Sequence, residues 1–184
     1  HLLGRVFIKG MLESILATNL KIQQLLHAHP EIEREEVVER PVILASFTRT
    51  GATFLYQVLA DIYETELTPT YSFEIFGGPL ELHDPPQRAQ EAEAALSGLE
   101  IMNPPMKLLH EWIAEDEPED EPGWYQHTLQ GLVIPFTIPS ELLHSKIYEP
   151  ESQARNRRFW VTMNKIRQWQ AGKKQRFLLK APEH

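Results

Sequence analysis

The feature that most constrains the fold is a short apolar run, Pro41–Phe47, which breaks abruptly and gives way to a helical pattern. The run carries β-branched residues, as expected of a strand buried on both faces of a parallel sheet. The sequence Thr-Arg-Thr-Gly at positions 48–51 interrupts it, and apolar residues then recur at helical spacing from Ala52 to Tyr63. The sequence therefore predicts a strand, a tight turn and a helix in direct succession.

A second candidate strand lies at Arg176–Ala181, after a predicted helix at Arg155–Ala171. Two strands joined through helices favour an α/β fold with a parallel sheet. We expect a helix-rich α/β fold, with helices flanking a parallel sheet, in a single domain over 1–184. The other predicted segments are helices at Arg5–His29 and Gln87–Met102, a connector at Glu31–Arg40 and a long loop at Thr65–Pro86.

Composition excludes several classes of protein. The 184 residues contain no cysteine, which excludes structural disulfides, thiolate nucleophiles and cysteine-ligated metals. No apolar run reaches the ~18 residues of a membrane span, and no signal-peptide pattern opens the sequence, so we expect a cytoplasmic protein. The net charge is −8. An acidic chain lacks the broad positive surface of a general nucleic-acid binder, although it can still hold a small anion.

Polar residues follow both predicted strands, at Thr48–Thr53 and Lys180–His184. Ligands of parallel α/β sheets bind at the carboxyl ends of the strands. A turn from strand to helix presents unpaired N–H groups to an anion, Gly51 allows close approach, and Arg49 adds a forked cation. The alternative is an ordinary turn whose threonines cap the helix. Ala52 stands where a Walker A loop has lysine, which disfavours ATP or GTP hydrolysis.

Residues Pro41–Leu55 resemble the 5′-phosphosulfate loop of the sulfotransferases that use 3′-phosphoadenosine 5′-phosphosulfate (PAPS), usually written Pro-Arg-Ser/Thr-Gly-Thr-Thr. Trp169-Gln170 followed by Arg176–His184 resembles the Leu-Lys-Ser-Pro-x-His element of the same group. The chain is most similar to the bacterial sulfotransferase-like branch related to the tyrosylprotein enzymes. Both motifs occur in order and at the expected strand ends, which makes the resemblance more specific than either motif alone.

The resemblance implies a P-loop-like parallel sheet flanked by helices. It also implies transfer of a sulfuryl group from PAPS to a hydroxyl or amine, without a metal. Lys180 would lie near the bridging oxygen, and either Glu74 or His184 would be the general base. Aromatic residues of Thr65–Pro86 and Trp124–Leu143 either line an acceptor pocket or fill the core. If they line the pocket, the expected acceptor is a small apolar alcohol or phenol. The residues that would hold the phosphosulfate are Arg49, Thr50, Gly51, Ala52 (through its backbone N–H), Thr53 and Phe54.

Three positions depart from the family pattern. Thr48 replaces its proline, while Ala52 and Ala181 each remove a hydroxyl that could contact the co-substrate. The family continues beyond the histidine element with the residues that bind the 3′-phosphate and adenine, so the chain resembles the N-terminal half of a sulfotransferase. An inactive binding or scaffold protein and, less favoured, a P-loop small-molecule kinase remain alternatives.

By the same resemblance the domain divides into four parts. These are an N-terminal helix at 1–30, the phosphosulfate-loop unit at 41–64, an acceptor-side region at 65–150, and a helix with the second core strand at 155–184. Half a sheet leaves an unpaired edge, which would allow a homodimer.

Overall fold

The computed structural model describes residues 2–47, 50–70, 85–102, 104–105, 127–129 and 148–180. Within these ranges the elements follow in the order α1 (Leu2–Ala28), α2 (Glu31–Glu35), β1 (Val42–Leu44), α3 (Ala52–Ile62), α4 (Pro85–Met102), α5 (Pro150–Ala171) and β2 (Leu178–Lys180). None of these helices combines the length and apolar character needed to cross a bilayer.

The sheet is parallel, as predicted, and β2 lies in its middle. β1 pairs with β2 so that Val42 lies opposite Leu178 and Leu44 opposite Lys180. On the other side of β2, Thr68 pairs in parallel with Phe177. We call residues 67–70 the edge segment. Three stretches that are distant in sequence therefore end at the same edge of the sheet.

Helices cover both faces of β2. On one face, α3 packs through Tyr56 and Ala60 against Leu67 and Leu178. On the other face, the guanidinium carbon of Arg167 in α5 lies 4.8 Å from the ring centroid of Phe177. This alternation follows from the strand period of two, which sends Phe177 and Leu178 to opposite faces. The arrangement is the helix-flanked parallel sheet expected from the sequence.

A second hydrophobic cluster joins α1 and α2 to α5. Its buried members are Ile22, Leu25, Leu26, Ile32, Met163 and Ile166. Polar contacts reinforce the same junction, since Lys165 Nζ donates to the Glu33 carbonyl at 2.7 Å and Gln168 Nε2 donates to the Val37 carbonyl at 3.2 Å. Apolar packing and these side-chain hydrogen bonds together fix α5 against α1, α2 and the segment that follows α2.

Several predicted boundaries were wrong. The connector contains the short helix α2, and α5 begins at Pro150, because proline is well suited to the first turn of a helix. The strand at Pro41–Phe47 shortens to Val42–Leu44, and Ile43 is 51% exposed instead of buried. Leu179, which lies opposite Ile43 in β2, is fully buried. The side chains that pack on this face of the sheet therefore cover β2 and leave β1 exposed.

The predicted long loop was wrong at both ends. Thr68 pairs with β2 near its start, and Pro85 already belongs to α4 at its end. Residues 71–84 of that loop and most of Trp124–Leu143, including the aromatic residues considered for an acceptor pocket, lie outside the described residues.

The packing of α1 yields a matched stability test. Leu25 is 7% exposed within the cluster shared with α5, whereas Leu20 on the same helix is 65% exposed. Leu25→Ala should lower the free energy of unfolding by about 2–4 kcal/mol, because it removes buried methyl groups and leaves a cavity. Leu20→Ala should stay within about 0.5 kcal/mol of wild type. Urea unfolding followed by circular dichroism measures both, and equal losses would contradict this packing of α1.

Candidate functional site

The turn between β1 and α3 depends on Gly51. Its φ of 85° and ψ of 15° place it in the left-handed region, where residues with a Cβ are strained. No heavy atom lies within 4 Å of where a Cβ would stand, so the glycine is needed for its backbone conformation and not for lack of space. The same openness leaves its α carbon accessible to a ligand.

The amino end of α3 presents backbone N–H groups that have no acceptor within the described residues, and we call these the unpaired amides. Leu55 N–H is bonded to the Gly51 carbonyl at 3.0 Å, which makes it the first amide of the helix with an intrahelical acceptor. The amides of Ala52, Thr53 and Phe54 precede that bond and point out of the helix end. Gly51 supplies no capping side chain. Three N–H groups and the positive end of the helix dipole therefore face the carboxyl edge of the sheet.

Thr50 stabilises the turn itself. Its hydroxyl donates to the Phe47 carbonyl at 2.7 Å, which ties the end of the β1 segment to the start of the helix. The hydroxyl proton is therefore engaged within the loop, while the oxygen can still accept a hydrogen bond. This contact gives Thr50 a structural role within the turn, as expected if the segment is an ordinary turn between strand and helix.

The two polar segments that follow the strands meet through Lys180. It is the last residue of β2 and is only 2% exposed, yet its Nζ donates to Thr53 Oγ1 at 2.7 Å. Nζ also lies 5.8 Å from the ring centroid of Tyr56, one turn further along α3. The ammonium group is thereby held at the amino end of α3, beside the unpaired amides.

Sequence reasoning missed the contribution of Tyr56. This residue is fully buried, and its hydroxyl donates to the Leu178 carbonyl at 2.9 Å and accepts from the Thr70 amide at 2.9 Å. Tyr56 precedes Leu59 and Ala60 by three and four residues, so helical spacing places it on the apolar face of α3. That spacing indicates that the residue is buried. A buried tyrosine usually needs a hydrogen-bond partner for its hydroxyl, but the partner's identity is not readable from spacing.

Arg167 was also missed. Its guanidinium donates to Thr70 Oγ1 at 3.2 Å, to the Pro69 carbonyl at 2.7 Å and to Asn164 Oδ1 at 3.0 Å. It follows the buried Met163 and Ile166 by four and one positions, so the helical period alone would have placed it inward. A buried guanidinium is tolerated when its donors are satisfied in this way. Arg167 fixes the edge segment from the face opposite to α3.

The predicted site residues divide into two groups. Thr50, Gly51, Ala52, Thr53, Phe54 and Lys180 lie together at the carboxyl edge of the sheet, with the Phe54 side chain exposed. Arg49, Glu74 and His184, and the departures Thr48 and Ala181, lie outside the described residues. In the described part of the chain, no cluster of three or more acidic or histidine side chains is arranged as a metal site.

One solved structure shares this fold over nearly the whole chain. The crystal structure of sulfotransferase STF9 from Mycobacterium avium superposes with a TM-score of 0.70, covering 98% of this chain and 46% of that one at 18% sequence identity. The chain thus spans about half the length of that sulfotransferase. The sequence matches no protein-family model and no curated protein. The likeness shows a sulfotransferase-like α/β fold.

Two glycines test the conformation of the turn. Gly51→Ala should lower the free energy of unfolding by about 1–2 kcal/mol, because an L-residue is strained in the left-handed region. Gly10 in α1 likewise has no atom within 4 Å of its Cβ position but has a helical backbone. Gly10→Ala should therefore stabilise by about 0.5–1 kcal/mol. Chemical denaturation should give opposite signs for the two variants, and a stabilising Gly51→Ala would exclude the left-handed turn.

Proposed function

We propose that this chain belongs to an enzyme that transfers a sulfuryl group from PAPS to a hydroxyl or amine. The observation that carries the proposal is the buried Lys180 ammonium, 2.7 Å from Thr53 Oγ1 and beside the unpaired amides of α3. A cation, a hydroxyl and helix amides converge at the edge of a parallel sheet where ligands bind. The fold shared with a sulfotransferase supports the same conclusion.

The donor set suits a phosphosulfate. The amides of residues 52–54 supply N–H donors directed along the helix axis, and Gly51 lets the anion approach the backbone. The Arg49 side chain adds a guanidinium from the same loop, in the role that the family motif gives it. Ala52 contributes only its backbone N–H. That donor does not depend on the side-chain hydroxyl that the family motif usually has at this position.

Sulfuryl transfer breaks the bond between sulfur and the bridging oxygen and forms a bond from sulfur to the acceptor oxygen or nitrogen. Negative charge develops on the leaving 5′-phosphate, and a cation placed there stabilises the transition state more than the ground state. Lys180 can supply that cation, since its buried ammonium is held at the amino end of α3 by its bond to Thr53 Oγ1. The acceptor's proton passes to a base, for which Glu74 and His184 remain the two candidates.

A triphosphate substrate is less compatible with this loop. The lysine of a Walker A motif would stand at position 52, and alanine occupies it as the first residue of α3. An inactive scaffold is the other alternative, and it would retain anion binding while failing to turn over. Both alternatives give outcomes that the titration below distinguishes.

The acceptor, the compartment and the assembly belong to the same proposal. We expect a small apolar alcohol or phenol as acceptor, in a cytoplasmic enzyme, with a homodimer as one way of completing the sheet. A turnover screen that preferred charged glycans over apolar alcohols would contradict the acceptor class.

Calorimetric titration with 3′-phosphoadenosine 5′-phosphate (PAP), the desulfated product, tests the site directly. We expect PAP to bind this chain in the micromolar range and ATP with magnesium to give no response. Arg49→Ala should weaken PAP binding by roughly 1.5–3 kcal/mol, the range for a hydrogen bond to a charged group. Arg34→Ala, which removes an arginine of α2, is the matched control and should leave PAP affinity unchanged.

Each outcome of the titration has a separate meaning. PAP binding without transfer to any acceptor would favour the scaffold alternative, and magnesium-dependent ATP binding would favour the kinase. If Arg49→Ala bound PAP as tightly as wild type, the loop would be a structural turn only.

Lys180→Met separates binding from chemistry. The substitution keeps a long apolar stem and removes the charge, so transfer should fall by at least tenfold in kcat while PAP affinity changes much less. Single-turnover transfer from PAPS and PAP calorimetry on the same preparation measure the two effects. An equal loss in both would mean that Lys180 contributes ground-state binding and not transition-state stabilisation.

A further inference from the structure

We propose that Tyr56 is the positioning residue for Lys180. Its hydroxyl is locked between two strands of the sheet, and its ring provides the surface over which the ammonium lies. This inference rests on the proposed function only where it concerns turnover. The geometry of the pair stands on contacts among described residues.

The Tyr56 hydroxyl takes the place of one backbone hydrogen bond between the edge segment and β2. Between the edge segment and β2, the Thr68 amide donates to the Arg176 carbonyl and the Leu178 amide donates to the Thr68 carbonyl, each at 2.9 Å. In a regular parallel ladder the next bond would run from the Thr70 amide to the Leu178 carbonyl. Here the phenol lies between those two groups, accepting from the first and donating to the second.

This insertion anchors the hydroxyl end of the ring, in addition to the packing that holds the rest of it. The hydroxyl is held at both its donor and acceptor functions, while the Cα end is held by α3, whose buried face packs on Leu178. Arg167 reinforces the far side by binding Thr70 Oγ1 and the Pro69 carbonyl. A ring anchored at both ends has one orientation, and that orientation is set before any ligand binds.

The anchored ring lies next to Lys180. Leu178 and Lys180 are two residues apart on β2 and therefore project to the same face, towards α3. The ammonium lies 5.8 Å from the Tyr56 ring centroid, within the range of cation–π attraction. Thr53, which accepts its hydrogen bond, stands three residues before Tyr56, so both contacts come from one face of α3.

Positioning matters here because the cation is almost fully buried. Removing an ammonium from water is costly unless polar or aromatic groups replace the lost solvation. The electron-rich ring face provides part of that replacement and restricts the lysine stem to one direction. Loss of the ring should therefore misplace the charge that acts on the transition state, with little change to the amides that bind the anion.

The test uses Tyr56→Phe and Tyr56→Leu in this chain. In the NMR spectrum of the wild type, the Hε protons of Lys180 should be shifted upfield by the ring current, with assignment by loss of the signal in Lys180→Met. The upfield shift should survive in Tyr56→Phe and disappear in Tyr56→Leu. Tyr63→Leu, at the opposite end of the same helix, is the matched control and should leave the signal in place.

Hydrogen exchange tests the anchor separately. In Tyr56→Phe the Thr70 amide should exchange at least tenfold faster, because its acceptor is gone, while the Thr68 amide keeps its bond to the Arg176 carbonyl and its protection. In transfer assays, Tyr56→Leu should lower kcat at least tenfold with a much smaller change in KM for PAPS, and Tyr56→Phe should retain most of the activity.

The wild-type spectrum alone can overturn the inference. Lys180 Hε signals at the ordinary lysine position, or an upfield signal that persists in Tyr56→Leu, would show that the ring does not orient the ammonium. Unchanged Thr70 exchange in Tyr56→Phe would exclude the anchor. Because these readouts need neither PAPS nor turnover, the positioning role can be upheld even if sulfuryl transfer is not observed, and the reverse also holds.

Discussion

The site depends on one hydrogen-bonded phenol that joins three parts of the chain. Tyr56 in α3 links the Leu178 carbonyl of β2 to the Thr70 amide of the edge segment. Without it, the edge segment would either close directly onto β2 or separate from it. With it, the two neighbouring stretches are held one hydroxyl apart at the carboxyl edge, where crevices in parallel sheets form. The buried faces of α3 and α5 then determine what lies on each side of that opening.

The charges near the opening follow from this arrangement. Arg167 donates hydrogen bonds to the Pro69 carbonyl and to Thr70 Oγ1. Its guanidinium lies over the Phe177 ring, on the α5 face of the sheet. Lys180 lies on the α3 face, where its ammonium donates to Thr53 Oγ1 at the amino end of α3. These two buried cations thus have different surroundings: Arg167 holds the edge segment, and Lys180 lies at the amino end of α3, where we propose that an anion binds. The difference arises because Arg167 approaches β2 and the edge segment from the α5 face, whereas Lys180 lies on the α3 face.

Sequence patterns predicted the parts of the fold that are local. The apolar run before Gly51, the helical spacing after it and the second strand before position 181 each follow from short-range chemistry, and the structure places them as a parallel sheet with helices. Spacing could not reveal that Arg167 binds a carbonyl 98 residues away, or that Tyr56 enters the sheet at a strand 122 residues away. Such contacts depend on tertiary packing, which determines the partners of buried polar groups. The prediction that Ile43 is buried was wrong for a related reason. The side chains that bury Leu179 on the same face of the sheet do not extend over β1.

The wide separation of the paired strands has a consequence for how the site forms. Arg176 donates to the Arg40 carbonyl across 136 residues, immediately before β1 and β2 align. Closing so long a loop costs chain entropy before any sheet contact repays it, and topologies rich in distant contacts fold slowly. Helices such as α1 and α5 can form early from neighbouring residues, whereas Lys180 can meet Thr53 at the amino end of α3 only after β1 and β2 have paired. During synthesis, Lys180 therefore reaches Thr53 only after β2 has been made and has docked beside β1, so the proposed anion site forms later than the helices that flank it.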